Sequence, residues 1–408
     1  MCRSKKSTSV VEPRNRKSMN PTRTLTSSSS NQSDVPITES RSYVYDTNKN
    51  WSKSSSISSR ASLSSLKDTL PENPNIYHFS EISSATSNFS IQTLSSSSSS
   101  WRCSIRDRDV VVFRRKFRHQ MDLPELRHRL TLICRSHHSS LVKLLGASIF
   151  GNYTFLVYDF VPGASLADCL RNRRNPSFTD LATWTSRMQI ASDIAHGLDY
   201  IHNFSGSGFV HNHIKSSSIL ITEDDKDNFS AKICHFGTSD LCGEAVDVAS
   251  EVPDRKLRRS GSRTVKFEGT RGYMAPEFQF TGVATQKTDV YAFGVVILEL
   301  LSGDEVLKFE FDDDGGYRRV SVVETAKLAA EENGGLRKWV DKRLKDSFPV
   351  DVAERMIWVG LECVGDDPNE RPDMGRVSIE VSKLYLESTK WAEKMGTNID
   401  FSVSLAPR

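Results

Sequence analysis

The chain has 408 residues, 37% of them hydrophobic, and 54 Lys and Arg stand against 51 Asp and Glu for a net charge of +3. So small an excess of positive charge leaves no electrostatic footprint for a nucleic-acid partner. The hydrophobic share is below that of a fully packed chain, so a substantial part is expected to stay outside any core. The seven cysteines (Cys2, Cys103, Cys134, Cys169, Cys234, Cys242 and Cys363) are scattered and form no C-x-x-C pair. That pattern argues against a disulfide framework or structural zinc and for reduced thiols in a cytosolic protein. No apolar run reaches the ~18 residues of a spanning helix, and the start carries no signal-peptide core. The longest candidate, Val290 to Leu301, is interrupted by Glu299 and is expected to be a buried helix.

Residues 1–76 are rich in Ser, Thr, Asn and basic side chains, with six Lys and six Arg against three Asp and three Glu. A segment of this kind buries too little apolar surface to offset its ordering entropy, so it is expected to be a disordered tail. Cys2, beside Arg3, Lys5 and Lys6, leaves two alternatives open: an unmodified thiol, or an acylated cysteine whose basic neighbours favour an anionic membrane surface. No glycine at position 2 offers a myristoylation site.

Beyond the tail, Val110-Val111-Val112-Phe113-Arg114 is β-branched and predicts a strand. Gly146 is the first glycine in the whole chain, and Ser95 to Ser100 is an unbroken serine run. From Thr183 to His202, Trp184, Met188, Ala191, Ile194, Ala195, Leu198 and Ile201 recur at helical spacing and predict a core-facing helix. Arg255, Lys256, Arg258, Arg259, Arg263 and Lys266 make a basic stretch in which Ser260 and Ser262 follow arginines, as substrates of basophilic kinases do.

Six motifs then stand in order. They are Phe79-Ser80-Glu81-Ile82 with Ala85-Thr86-Ser87-Asn88-Phe89-Ser90, then Leu156-Val157-Tyr158-Asp159-Phe160-Val161, then His211-Asn212-His213-Ile214-Lys215 with Ser218. His235-Phe236-Gly237, Gly269-Thr270-Arg271-Gly272-Tyr273-Met274-Ala275-Pro276-Glu277 with Asp289-Val290-Tyr291-Ala292-Phe293-Gly294, and Arg371-Pro372-Asp373-Met374 follow. Together they resemble the protein kinase domain of plant receptor-like kinases, and the stretch from Asp289 to Gly303 resembles the LysM-type subgroup. The resemblance covers about Tyr77 to Trp391. It implies an α+β, two-lobed protein-kinase-like fold, with an antiparallel β-sheet and one helix in the small lobe (about 77–158) and a mainly α-helical large lobe (about 162–395). A tail of 13 residues, 396–408, would follow.

The resemblance also assigns roles. The phosphate loop falls on Ser95, Ser96 and Ser97, without the glycines that let backbone N–H groups approach phosphate. The strand lysine falls on Phe113, or on Arg114 if the register slips by one, with Lys116 a rescue only through a bulge. The partner glutamate falls on Arg129, leaving Glu125 as the nearby acid. The base aspartate is His213, the metal-binding asparagine is Ser218 and the metal-binding aspartate of D-F-G is His235; Lys215 is retained. Tyr158 takes the gatekeeper place, and the hinge backbone at Asp159 and Val161 keeps an adenine-edge shape. Glu277 and Arg371 are implied as a buried pair, Asp289 as the anchor of the catalytic-loop backbone, and Ile133, Leu144, Phe236 and His211 as a spine. Thr270 joins Ser260 and Ser262 as a phosphosite candidate.

Phosphoryl transfer needs hard oxygen ligands for magnesium, a phosphate cradle and a group that positions the hydroxyl. A neutral imidazole is a poor magnesium ligand. The expected function is therefore a pseudokinase acting as scaffold or allosteric partner in receptor-kinase signalling, with active receptor-like kinases or their cytoplasmic domains as partners. No nucleic acid, metal or cofactor is expected, residual metal-independent ATP binding being the one reservation, and the expected place is the cytoplasm or the inner face of the plasma membrane. The alternative is a weak or atypical ATP-dependent serine/threonine kinase in which His213 accepts the proton. A minor third reading groups His211, His213 and His235 as a site for a transition metal or an anion.

Overall fold

The computed structural model describes residues 74–91, 93–94, 99–117, 122–174, 181–205, 208–225, 228–244, 269–311, 316–332 and 334–397. The expected tail disorder, Cys2, the phosphate-loop serines Ser95, Ser96 and Ser97, and Ser260 and Ser262 lie outside these residues.

The small lobe is a five-stranded sheet in the order β1-β4-β5-β3-β2, built from β1 (Asn75–Ile76), β2 (Ser100–Ile105), β3 (Arg108–Lys116), β4 (Leu144–Phe150) and β5 (Tyr153–Asp159). All its pairings are antiparallel except that of β1 with β4, so the sheet begins at Asn75, two residues before the expected boundary. Gly146 pairs with Asn75, and a Cβ there would fall 1.9 Å from the Asn75 carbonyl oxygen. A glycine is what lets β1 lie so close.

Two helices accompany the sheet, where the resemblance implies one. Helix α1 (Phe79–Ala85) covers its outer face. There Ile82 joins Val110, Val112, Phe155 and Val157 in a small core, and the Phe79 ring stacks on Phe150 at 3.8 Å. Thr86, fully buried, ends α1 by donating its hydroxyl to the Ile82 carbonyl at 2.8 Å. Helix α2 (Leu123–Cys134) covers the inner face. The Asp122 carboxylate caps it by accepting from the Glu125 N–H at 2.8 Å, and Leu126, Leu130 and Ile133 are buried.

The large lobe continues with β6 (Ala164–Ser165), α3 (Leu166–Arg171), α4 (Trp184–Asp199), β7 (Ile219–Asp225), β8 (Asn228–Ile233), α5 (Thr238–Leu241), α6 (Pro276–Thr281) and α7 (Gln286–Ser302). A hairpin, β9 (Leu307–Phe311) and β10 (Tyr317–Ser321), leads into α8 (Val322–Glu331), α9 (Gly335–Trp339), α10 (Val350–Cys363) and α11 (Met374–Thr397). The last helix runs two residues past the expected end of the domain. Every residue of the α4 stripe is buried, and the Trp184 indole donates to the Ser388 hydroxyl of α11 at 2.8 Å. Helix α7 is buried on all sides, as a long apolar run interrupted only by Glu299 requires. Among the described residues no helix is long and apolar enough to cross a membrane.

Candidate functional site

Four pieces converge between the lobes: β3, α2, the loop 209–218, and the segment from Cys234 to Glu244. The period of two along β3 puts Phe113 and Arg115 on the cleft side and Arg114 on the other. The Arg114 guanidinium lies 5.3 Å over both the Trp101 and Tyr153 rings, so the shifted register is not the one adopted. Lys116 is exposed at the strand end, and no bulge turns it inward. Phe113 meets His235, ring centroids 4.2 Å apart. His235 sits at φ 68°, in the left-handed region sparse for non-glycine residues. Among the described residues its buried Nδ1 has no hydrogen-bond partner. Desolvation, reinforced by the charges of His213 and His211, pushes its pKa down to about 3, so the ring is neutral at pH 7.

Tyr158 closes the back of this pair. Its hydroxyl donates to the Phe236 carbonyl at 3.0 Å, with Thr238 Oγ1 also at 3.0 Å, and burial drives its pKa far up. Gly237, at φ 84°, turns the chain beside it. A Cβ there would lie 2.7 Å from the Ile133 side chain. Tyr158→Phe is expected to leave the Phe236 carbonyl unsatisfied and to cost about 1–3 kcal/mol, read as a lower urea midpoint at constant m-value. Ile133, Leu144 and Phe236 are buried in one core and help wall a cavity of about 240 Å³.

The loop 209–218 hangs from Asp289, at the start of α7. Its carboxylate accepts the N–H groups of His211 and Asn212, both at 2.7 Å, and faces His202 Nε2 at 3.1 Å. Asn212 adopts φ 61°, a conformation asparagine tolerates. His211 is buried, its Nε2 2.9 Å from the Cys234 carbonyl and its Nδ1 accepting from the His213 N–H at 3.2 Å. The Ser218 hydroxyl lies 2.6 Å from the His213 carbonyl and 2.9 Å from that of Lys215, sharing its one proton between them, and accepts from the Lys215 N–H at 3.1 Å, so its oxygen is turned into the loop. Lys215 donates to the Thr270 hydroxyl at 3.1 Å. Among the described residues no three His, Cys, Asp or Glu side chains gather as a metal requires.

Two acidic residues that motif comparison had not singled out complete the site. Gly243, at φ 66°, ends the turn after α5 and throws Glu244 back into the cleft. Buried there, Glu244 accepts from Arg115 Nε at 3.0 Å and from Asn212 at 3.3 Å, and stands 2.6 Å from His213 Nε2. Burial pushes its carboxyl up, but the hydrogen bonds and charges of His213 and Arg115 outweigh it and hold the pKa at about 2. Arg129 pairs with Glu125 at 2.8 Å and with Asp240, at the end of α5, at 3.1 Å. Alternation from Phe113 alone would have pointed to Arg115; nothing local marks Glu244 or Asp240.

Below the cleft, Arg371 grips Glu277 with both guanidinium nitrogens, at 2.7 and 2.8 Å. Fully buried Glu299 binds Arg171, accepts from the Ser216 hydroxyl (2.8 Å) and from the Tyr273 hydroxyl (2.6 Å), and so ties the loop 209–218 to α7. Its charge in an apolar run is thus a bracket between loops. At the hinge, Arg108 holds the Asp159 carboxylate through two 3.1 Å bonds, and Val161 is half-buried against the main core.

The protein kinase domain family matches residues 110–378, well over half of the chain. LysM domain receptor-like kinase 3 of Arabidopsis thaliana is 32% identical over 338 residues, 80% of this chain and 49% of that protein. Chitin elicitor receptor kinase 1 of Arabidopsis thaliana is 36% identical over 263 residues, 64% of this chain and 39% of that protein. The chain thus spans about half the length, or less, of the curated relatives it matches. The pseudokinase domain of BIR2, an immune regulator of the RLK/Pelle family, shares the fold with a TM-score of 0.57 at 24% identity, covering 82% of this chain and 94% of that one. The chain belongs to the protein kinase domain family, of the plant receptor-like kinase type.

Proposed function

We propose that the domain is a pseudokinase that serves as a scaffold or allosteric partner of receptor-like kinases. The observation that carries this reading is the tilted Phe113–His235 ring contact, centroids 4.2 Å apart. The two positions that would hold the phosphates and the metal are an aromatic pair closed on each other. Such a pair offers magnesium no hard oxygen ligand and triphosphate no cation. Ser218, at the other metal position, turns its hydroxyl into hydrogen bonds within the loop. The residues present therefore do not fit magnesium-ATP. What the lobes need to stay together is met otherwise, by Arg115–Glu244–His213 and Arg129–Asp240.

The partners fitting this reading are active receptor-like kinases or their cytoplasmic domains, with peripheral membrane association through Cys2 as an added proposal. One feature favours the alternative, a weakly active serine/threonine kinase: His213, at the base position, is backed by buried Glu244, and a carboxylate orients and supports an imidazole base. A thermal-shift titration with ATP plus Mg²⁺ or Mn²⁺, paired with a radiolabelled transfer assay, separates the two. The pseudokinase reading expects no metal-dependent shift and no transfer above the heat-inactivated protein. Transfer abolished by Lys215→Ala would sink it.

A further inference from the structure

A cavity of about 310 Å³ opens at the mouth of the loop 209–218, walled by Arg115, His213, Lys215, Thr270, Tyr273 and Met274 among others. It lies where the resemblance would bring an acceptor hydroxyl to its base. The carboxylate of such a base is replaced here by an imidazole, and two cations stand beside it. Glu244 lies buried behind Arg115 and His213, bonded to both, and among the described residues it makes no ion pair with Lys215.

Lys215 carries the argument furthest. Its ammonium has three donors, one of which goes to the Thr270 hydroxyl. Among the described residues no carboxylate forms an ion pair with it, while burial and the charge of Arg115 lower its pKa. A half-buried cation in that position gains from an anion with several acceptor oxygens. The far wall is different: Met274, Ala275 and Phe278 are apolar, which suits the stem and neighbours of a peptide side chain better than a free ion. The deeper route, which a nucleotide would need, is closed by Phe113 and His235.

We propose that this cavity binds a phosphorylated serine or threonine side chain of a partner protein, so that the domain reads a phosphorylation mark where its relatives would make one. The proposal rests on the pseudokinase reading above. Lys215 and Arg115 face the phosphate oxygens, the Thr270 hydroxyl and His213 border them, and the Met274–Phe278 wall takes the adjoining residue.

The test is fluorescence anisotropy on the full chain with two degenerate peptide mixtures, one with central phosphoserine or phosphothreonine, the other with the plain residue. Charge-assisted contacts of this kind are expected to favour the phosphorylated mixture by roughly tenfold or more. Lys215→Met is expected to remove about tenfold of that preference. Thr270→Glu, at an exposed position, is expected to do the same and serves should Lys215→Met not fold. Inorganic phosphate is expected to compete only weakly, because it lacks the peptide stem. Equal binding of the two mixtures, a preference untouched in both variants, or displacement by ATP at lower concentration than by phosphopeptide would each overturn the proposal. The same samples are assayed for phosphoryl transfer to the plain mixture. No preference and no transfer removes this proposal alone, whereas transfer removes the pseudokinase reading.

Discussion

Arg371→Ala is expected to be among the most destabilising single substitutions in this domain. The guanidinium is wholly buried, while Glu277 keeps 23% of its side chain exposed. Arg371 also donates to the carbonyls of Gly365 at 2.7 Å and Lys287 at 2.9 Å, and lies 5.0 Å over the Tyr291 ring. Removing it strands a carboxylate and two carbonyls at once, and breaking a buried pair from one side typically costs about 3–5 kcal/mol. Glu277→Gln is expected to cost less, because its neighbourhood is partly wet and an amide still accepts one hydrogen bond. Urea midpoints of the two variants give the comparison. A loss below about 1 kcal/mol for Arg371→Ala would mean that the pair does not brace the large lobe.

Acid is expected to act nearly as strongly, through three buried titratable residues of the cleft. His211 is 1% exposed, and desolvation holds its pKa at about 4 despite the opposing charge of Asp289. His235 is held at about 3 by desolvation and by its histidine neighbours. For both, the unfolded chain takes up its proton first, near the ordinary histidine value of about 6.5. Their contribution is therefore complete above that value and is lost as pH falls toward 4 and then 3. For His211 alone the difference corresponds to about 3 kcal/mol. Glu244 has the same sign by another route. Its folded pKa of about 2 lies below the ordinary carboxylate range, so its share is present above about 4.5 and lost as pH falls further. Urea midpoints should decline steadily from pH 7 to pH 4. His235→Asn, neutral and tolerant of positive φ, should flatten part of that slope. A flat profile across this range would show that the two imidazoles are not held neutral.

On the pseudokinase reading proposed above, the expected loss of stability on protonation and the Phe113–His235 contact have one cause: the cleft holds groups that are stable when neutral or internally paired. The pair Arg129–Asp240 puts a cation on α2 and its partner after Gly237, and Glu244 ties Arg115 of the small lobe to His213 of the large one.

Much of the fold was legible in the order of residues. The α4 stripe and the apolar run of α7 are local periodicities, and a helix or strand repeats its own pattern whatever surrounds it. The two small departures were local as well. The strand at Asn75–Ile76 is too short to show a period, and α1 lies in a motif whose Phe79 and Ile82 looked like signature letters before they proved to be the outer lining of the sheet. The choice between Phe113 and Arg114 was open in the sequence because a strand shifted by one residue keeps its propensity and exchanges its faces. In the fold Phe113 turns to His235, and Arg114 to the Trp101 and Tyr153 rings of the opposite face.

By itself, then, the sequence determined the family and the buried helices, since each is a property of residue type and near spacing. Which charges meet in the cleft was decided only in three dimensions. Arg115 and Glu244 are 129 residues apart and Arg129 and Asp240 are 111 apart, and no periodicity links such positions. Only chain packing brings these opposite charges together, because burying either one alone would be too costly.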